Sequence, residues 1–163
     1  SAIDIMETLP IAYENGTDMH AREIMLQASM VAGMAFTNVS LGIVHSMAHT
    51  LGGMFHVAHG LADAILLPYV IRYNSSDAKA KEVYDTFAKK VGAENLYEAV
   101  EALNKKLNIP SCLQEVIPDE AAFVEKLDEM AALAKADGCT KTNPIIPELE
   151  GFKELFMKAY KGE

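Results

Sequence analysis

Between Leu61 and Ile71 the sequence reads LADAILLPYVI. Wound into a helix, this stretch is apolar on nearly every side, through Leu61, Ala64, Ile65, Leu66, Leu67, Val70 and Ile71. A helix without a polar stripe is stable only when other elements cover it all round, so it must lie at the centre of its fold. The pattern predicts that it starts near His59 or Gly60, runs to Tyr73 and kinks at Pro68. The rest of the chain supplies helices to cover it. Ala, Leu, Met, Glu and Lys dominate, and these are good helix formers. Alternating Val/Ile/Thr/Tyr runs bounded by hairpin turns, the signature of strands, are missing. The expected fold is all-α, a multi-helix bundle.

The covering helices can be read from their caps and breaks. Asn15-Gly16 is a turn, after which Thr17 or Asp18 can cap a helix running to about Phe36. Its apolar face is Met19, Ile24, Ala28, Val31, Ala32 and Ala35, and Met34, Leu41 and Met47 join Val31 as expected core residues. Ser40 can cap a second helix from Leu41 to about Leu51, ended or loosened by Gly52-Gly53. After Asn74-Ser75-Ser76, the segments Ala78 to Val91, Leu96 to Leu107 and Ala121 to Ala136 are charged, amphipathic helices. Asp137 to Glu148 is a loop rich in turn formers, and Glu148 to Tyr160 is a last helix. With no repeat and no flexible linker, residues 1–163 form a single helical domain, which fits the length of 163 residues.

Charge narrows the partners. Fourteen Lys and Arg against 23 Asp and Glu give a net charge of −9. Nucleic acid and anionic membranes both reward clustered cations, so neither is the expected partner. The longest apolar run, Ala64 to Val70, falls far short of the ~20 residues of a membrane span. Two cysteines, Cys112 and Cys139, are too few for a disulfide scaffold and point to a reducing, cytoplasmic setting.

Chemistry concentrates in VHSMAHTLGGMFHVAHG, Val44 to Gly60, which holds His45, His49, His56 and His59 and no acidic or basic side chain. A single histidine there would be read as a core residue satisfied by backbone. Four in so apolar a stretch point to a site. His45 and His49 lie four apart, on one helix face, the usual way a helix offers two nitrogens to a divalent metal. Spacing alone would make these two the joint ligands and leaves the roles of His56 and His59 open. It also supplies no carboxylate, so a free-standing helical His-based metal-binding module is one reading.

At these residues the sequence resembles the iron-containing (group III) alcohol dehydrogenases. GMAFTNVSLGIVHSMAHTLGGMFHVAHGLADAILLPYVIRYN, Gly33 to Asn74, is similar to that family's long glycine- and histidine-rich motif. GCTKTNP, Gly138 to Pro144, resembles its Cys-Thr-x-x-Asn-Pro loop, and LFMKAY, Leu155 to Tyr160, its closing helix. IDIMETLPIAYENGTDMHAREIMLQAS is similar to the helix pair before the motif, so the resemblance covers the whole chain.

The resemblance implies a different assignment from spacing. His45 and His59 would bind the metal, Fe²⁺ or Zn²⁺. His49 would instead sit beside nicotinamide and substrate and relay a proton. His56 would lie outside the ligand set. Phe36 and Cys139 would line the alcohol pocket, against plain core packing as the alternative for each. Asp63, often Asn in the family, is expected to be a helix-surface or N-terminal charge favourable to the dipole. Ile145 stands where relatives often carry Arg.

The fold implied is the C-terminal helical domain of the dehydroquinate synthase-like, iron-containing alcohol dehydrogenase fold. The family's remaining Asp and His ligands, and its Rossmann-like N-terminal domain, would precede residue 1, and no glycine-rich phosphate loop is found here. The whole enzyme would interconvert primary alcohols and aldehydes by NAD(P)-dependent hydride transfer, with ethanol- or butanol-type branches nearest in wording. This chain alone would be inactive. A homo-oligomer is expected, and an apolar face left bare would promote self-association.

Overall fold

The computed structural model describes residues 1–163 and contains eight α-helices and no strand. In chain order these are α1 (Ala2–Glu14), α2 (Met19–Val39), α3 (Ile43–Phe55), α4 (His59–Asn74), α5 (Ala78–Lys90), α6 (Leu96–Lys106), α7 (Glu120–Ala136) and α8 (Leu149–Lys161). Short 3-10 turns occupy Leu113–Glu115 and Gly138–Thr142. The all-α bundle expected from composition is the observed architecture.

Helix α4 is the hub and packs on α3, α5, α6 and α8. Its Ile65 and Leu66 are sealed from solvent together with Ile43, Met47 and Leu51 of α3, Phe123 and Met130 of α7, and Phe152, Phe156 and Tyr160 of α8. Each such side chain contributes roughly 1.5–3 kcal/mol by leaving water. Phe123 stacks on Tyr160 at 4.3 Å between centroids, and the Tyr160 hydroxyl donates to the Ile117 carbonyl at 2.9 Å.

Pro68 lies inside α4 and has no N–H to give the Ala64 carbonyl one turn back. Asn104 of α6 replaces that donor, its Nδ2 reaching Ala64 O at 2.7 Å. The proline is tolerated because a neighbouring helix satisfies the acceptor it frees. Asn104→Ala should therefore destabilise the domain by about 1 kcal/mol, the net worth of a hydrogen bond to a partly buried carbonyl. A urea midpoint equal to that of the parent would refute this.

Of the two candidate caps of α2, Asp18 is the one used, accepting from the Ala21 N–H at 2.9 Å. Two other local expectations are corrected. Ser40 does not cap α3; it closes α2 at a corner where the chain turns 102° into α3, with φ of 64° and ψ of −168°, a region usually left to glycine. Gly52-Gly53 do not end α3, which runs on to His56 in the left-handed conformation (φ 57°). Glycine costs a helix about 1 kcal/mol each. The buried face of Ile43, Met47, Ala48 and Leu51 outweighs that.

The face assigned to α2 is also corrected, Ala28 excepted, which is buried as expected. The main neighbour of α2 is α1, and only Ala21 and Ala28 are buried there. The small residues let α1 approach, which turns the large ones outward. Met19, Val31 and Met34 are exposed, and Leu26, Met30 and Met34 form an exposed stripe one turn apart. Met47 does lie in the core, at 1% exposure. No single helix is long and apolar enough to cross a membrane.

Candidate metal centre

The site is assembled at the start of α3 and held there by the loop after α7. Gly42 precedes α3, and a Cβ at that position would stand 2.8 Å from Asn143 Oδ1. That oxygen accepts from the first helical N–H, Ile43, at 3.3 Å, so a side chain from the distant loop caps the helix. Asn143 also pairs with Asn74 at the end of α4. Its Nδ2 donates to Asn74 Oδ1 at 2.7 Å, and Asn74 Nδ2 returns a bond to Asn143 Oδ1 at 3.2 Å. Both amides are buried. In the same loop, Thr140 Oγ1 lies 2.7 Å from both the Ala134 carbonyl and the Ser46 hydroxyl, and the Thr142 hydroxyl donates to the Leu41 carbonyl. The loop is therefore fastened along α3, and its first residue, Asp137, arrives beside His49.

Two clusters result. In the first, His45 projects from α3 towards His59, the first residue of α4, and Asp63 one turn further on. His45 Nδ1 is 3.1 Å from His59 Nε2 and 3.2 Å from Asp63 Oδ2, and His59 Nε2 is 3.1 Å from the same oxygen. The other carboxylate oxygen, Asp63 Oδ1, is buried without a hydrogen-bond partner. In the second cluster, His49 Nδ1 meets Asp137 Oδ2 at 2.8 Å, and Asp137 Oδ1 accepts the Cys139 N–H at 2.8 Å. The clusters adjoin, since the His49 and His59 rings stack with centroids 5.2 Å apart.

Burial sets the electrostatics. It pushes the His45 imidazole below its ordinary value, against the attraction of Asp63, and raises the Asp63 carboxyl against the pull of His45 and His59. Burial alone would raise Asp137 too, but hydrogen bonds from His49 and Cys139 together hold it below the usual carboxylate range. It stays an ionised acceptor for the ring. Burial and the neighbouring Asp137 push the Cys139 thiol up, so it is not an activated nucleophile.

The donors suit a metal. Two imidazole nitrogens with a carboxylate oxygen are a set that Fe²⁺ and Zn²⁺ both accept. The three atoms already converge, and one buried carboxylate oxygen has no protein donor to satisfy it. Beside His49 opens a cleft of about 420 Å³ lined by His49, Thr50, Gly53, Met54, Leu133 and Asp137.

The structure brings His45 to His59 rather than to His49, whose ring centroid is 6.3 Å from that of His45. The pairing suggested by helical spacing alone is thus replaced. Cys139 groups with His49 and Asp137, their donor atoms all within 4.8 Å. Phe36 is exposed on α2 and does not line the cleft. His56 is exposed at the end of α3, outside both clusters. Asp63 is not a helix-surface charge, because its carboxylate is turned into the histidine cluster. Sequence reasoning missed Asp137 altogether. For Asp63 a signal existed: it follows His59 by four residues, which places both on one face of α4.

Comparison with known proteins gives a consistent picture. Residues 2–160 match the family described as "Fe-containing alcohol dehydrogenase family, C-terminal". The chain is 41% identical to an NADPH-dependent butanol dehydrogenase of Clostridium saccharobutylicum, over 97% of this chain and 42% of that protein. It is 37% identical to an aldehyde-alcohol dehydrogenase of Streptococcus pneumoniae, over 97% of this chain and 20% of the relative. Among solved structures, an iron-containing alcohol dehydrogenase from Thermococcus thioreducens superposes with a TM-score of 0.91 at 36% identity, over 99% of this chain and 42% of the other.

Proposed function

The chain belongs to the Fe-containing alcohol dehydrogenase family, as its C-terminal domain, and from that premise we propose that it is the metal-binding half of an enzyme interconverting primary alcohols and aldehydes with NAD(P). The observation that carries this reading is the convergence of His45, His59 and Asp63 directly beside the His49–Asp137 pair. The chain spans 42% of the length of its butanol dehydrogenase relative. The dinucleotide site and further metal donors are accordingly assigned to a part of the enzyme outside these residues.

A divalent cation, Fe²⁺ or Zn²⁺, held by His45 and His59 would supply Lewis acidity to the alcohol oxygen. The remaining work falls to this chain's own groups. Asp137 accepts from His49 Nδ1, which fixes the ring and leaves Nε2 as the nitrogen free to exchange a proton. The His49 side chain is 47% exposed, so a proton taken from substrate has a path to solvent. The lining of the adjacent cleft by Thr50, Gly53, Met54 and Leu133 suits a small, largely apolar alcohol. Cys139 does not line this cleft; its N–H donates to Asp137 Oδ1, so its part in the site is to hold the carboxylate that faces His49. Phe36, exposed on α2, would join the alcohol pocket only when other parts of the enzyme cover it.

The test is an assay of NAD(P)H formation from ethanol and 1-butanol, run on this chain alone and on the protein that also carries the dinucleotide-binding region. The longer protein should turn over, lose at least tenfold of its rate to a chelator and recover with Fe²⁺ or Zn²⁺. This chain alone should be silent. Turnover indifferent to chelation would overturn the reading. A free-standing metal-binding module, the competing possibility, predicts no NAD(P)-linked turnover in either protein.

A further inference from the structure

We propose that Asp63 is itself a metal ligand, so that His45, His59 and Asp63 present a two-histidine, one-carboxylate face supplied wholly by this chain. The proposal rests on the metal-binding reading above and adds a donor to it.

The first argument is shape. The three donor atoms form a nearly equilateral triangle with edges of 3.1, 3.1 and 3.2 Å. Donors about 3.1 Å apart span one face of an octahedron whose bonds are about 2.2 Å, within the range for divalent cations on nitrogen and oxygen. Such a face leaves the opposite side open, as in metal sites that also take a substrate.

The second argument is the count of protons. Each pair in the triangle is at hydrogen-bond distance, yet with Asp63 as the carboxylate no placement of protons on the two rings satisfies all three pairs. With both nitrogens protonated, each can serve the carboxylate, but the two N–H groups then confront each other across 3.1 Å. With only one protonated, the bare nitrogen and the carboxylate oxygen set lone pair against lone pair. With neither protonated, all three contacts are repulsive. A cation at the centre removes the conflict, because all three lone pairs then point at it. It also offsets the Asp63 charge, whose second oxygen is buried with no donor.

The third argument is scaffolding. His59 and Asp63 are one turn apart on α4, and His45 comes from α3, which α4 packs against. All three donors sit on helices of the core rather than on a mobile loop. A ligand triangle built this way is held in shape before the ion arrives.

Co²⁺ serves as the probe, bound to the enzyme carrying Asp63→Asn, Asp63→Ala or His59→Ala. Affinity is read by competition with a chelator, and the ligand field from the visible absorption bands. Asp63→Ala should weaken Co²⁺ binding at least tenfold. The nearly isosteric Asp63→Asn should weaken it too and shift the bands, while melting of the metal-free protein stays at the parental value. Parental affinity and spectrum in both Asp63 variants, with loss of the ion in His59→Ala, would overturn the role of Asp63 and leave the metal reading standing. Parental behaviour in all three variants would sink both.

Discussion

Enzyme carrying His59→Ala, or His45→Ala, is expected to emerge from purification with little of its metal. Structural four-ligand zinc sites, at about 10–16 kcal/mol, set a scale of about 3 kcal/mol per ligand, more than a hundredfold in affinity. The loss should be selective. The His59 side chain is 50% exposed and contributes nothing to the buried core, so the variant should fold and melt like the parent. His56→Ala supplies the matching control. It removes an imidazole from the same short segment, but one that lies outside both clusters. Metal analysis of the three variants separates the possibilities. Depletion in His45→Ala and His59→Ala with full occupancy in His56→Ala is the expected pattern. Full occupancy in His59→Ala would end the assignment of the site.

The part of this structure that periodicity could reach was reached. An eleven-residue stretch apolar on nearly every side must be central, and α4 is. Helix ends leave a local record too: Asp18, a candidate cap in the sequence, accepts from a backbone N–H three residues on, and the structure shows Asp77, Asn95 and Asp119 doing the same for later helices. Errors arose where a local signal competed with a distant contact. Ser40 looks like a cap, but α3 is capped by Asn143, one hundred residues away. Gly52-Gly53 look like a stop, but the buried side of α3 carries the helix through them. The outward turn of α2 was hidden for a similar reason. Its apolar residues are real, yet this chain supplies only α1 to cover them.

The site divides along the same line. Its histidines announce themselves by density, but their pairing does not. The i,i+4 spacing of His45 and His49 is a one-helix argument, whereas the observed pairing of His45 with His59 depends on how α3 meets α4. Asp137 is invisible to any local rule, because it lies 88 residues from His49 and reaches it only through a loop pinned by Asn143 and Thr140.

That dyad yields the second large effect. His49→Ala should keep the metal and lose about 10²–10⁴ of kcat, the range attributed to one positioned proton-transfer group. Metal retention follows from geometry, since His49 Nδ1 is committed to Asp137 and belongs to a different cluster from His45, His59 and Asp63. Asp137→Asn tests whether the carboxylate acts through the ring. The amide oxygen can still accept the Cys139 N–H, so the loop should stay in place. What changes is the partner of His49, which no longer has an anion to select one tautomer. The expected loss is roughly 10–100-fold, typical of a group that orients another, and it should fall on kcat with KM near the parental value. Combined in one protein, the two substitutions should cost no more than His49→Ala alone, because Asp137 has nothing left to position. Additive losses would show that Asp137 serves the reaction by another route. A metal-free His49→Ala protein would return His49 to the ligand set and restore the assignment that helical spacing first suggests.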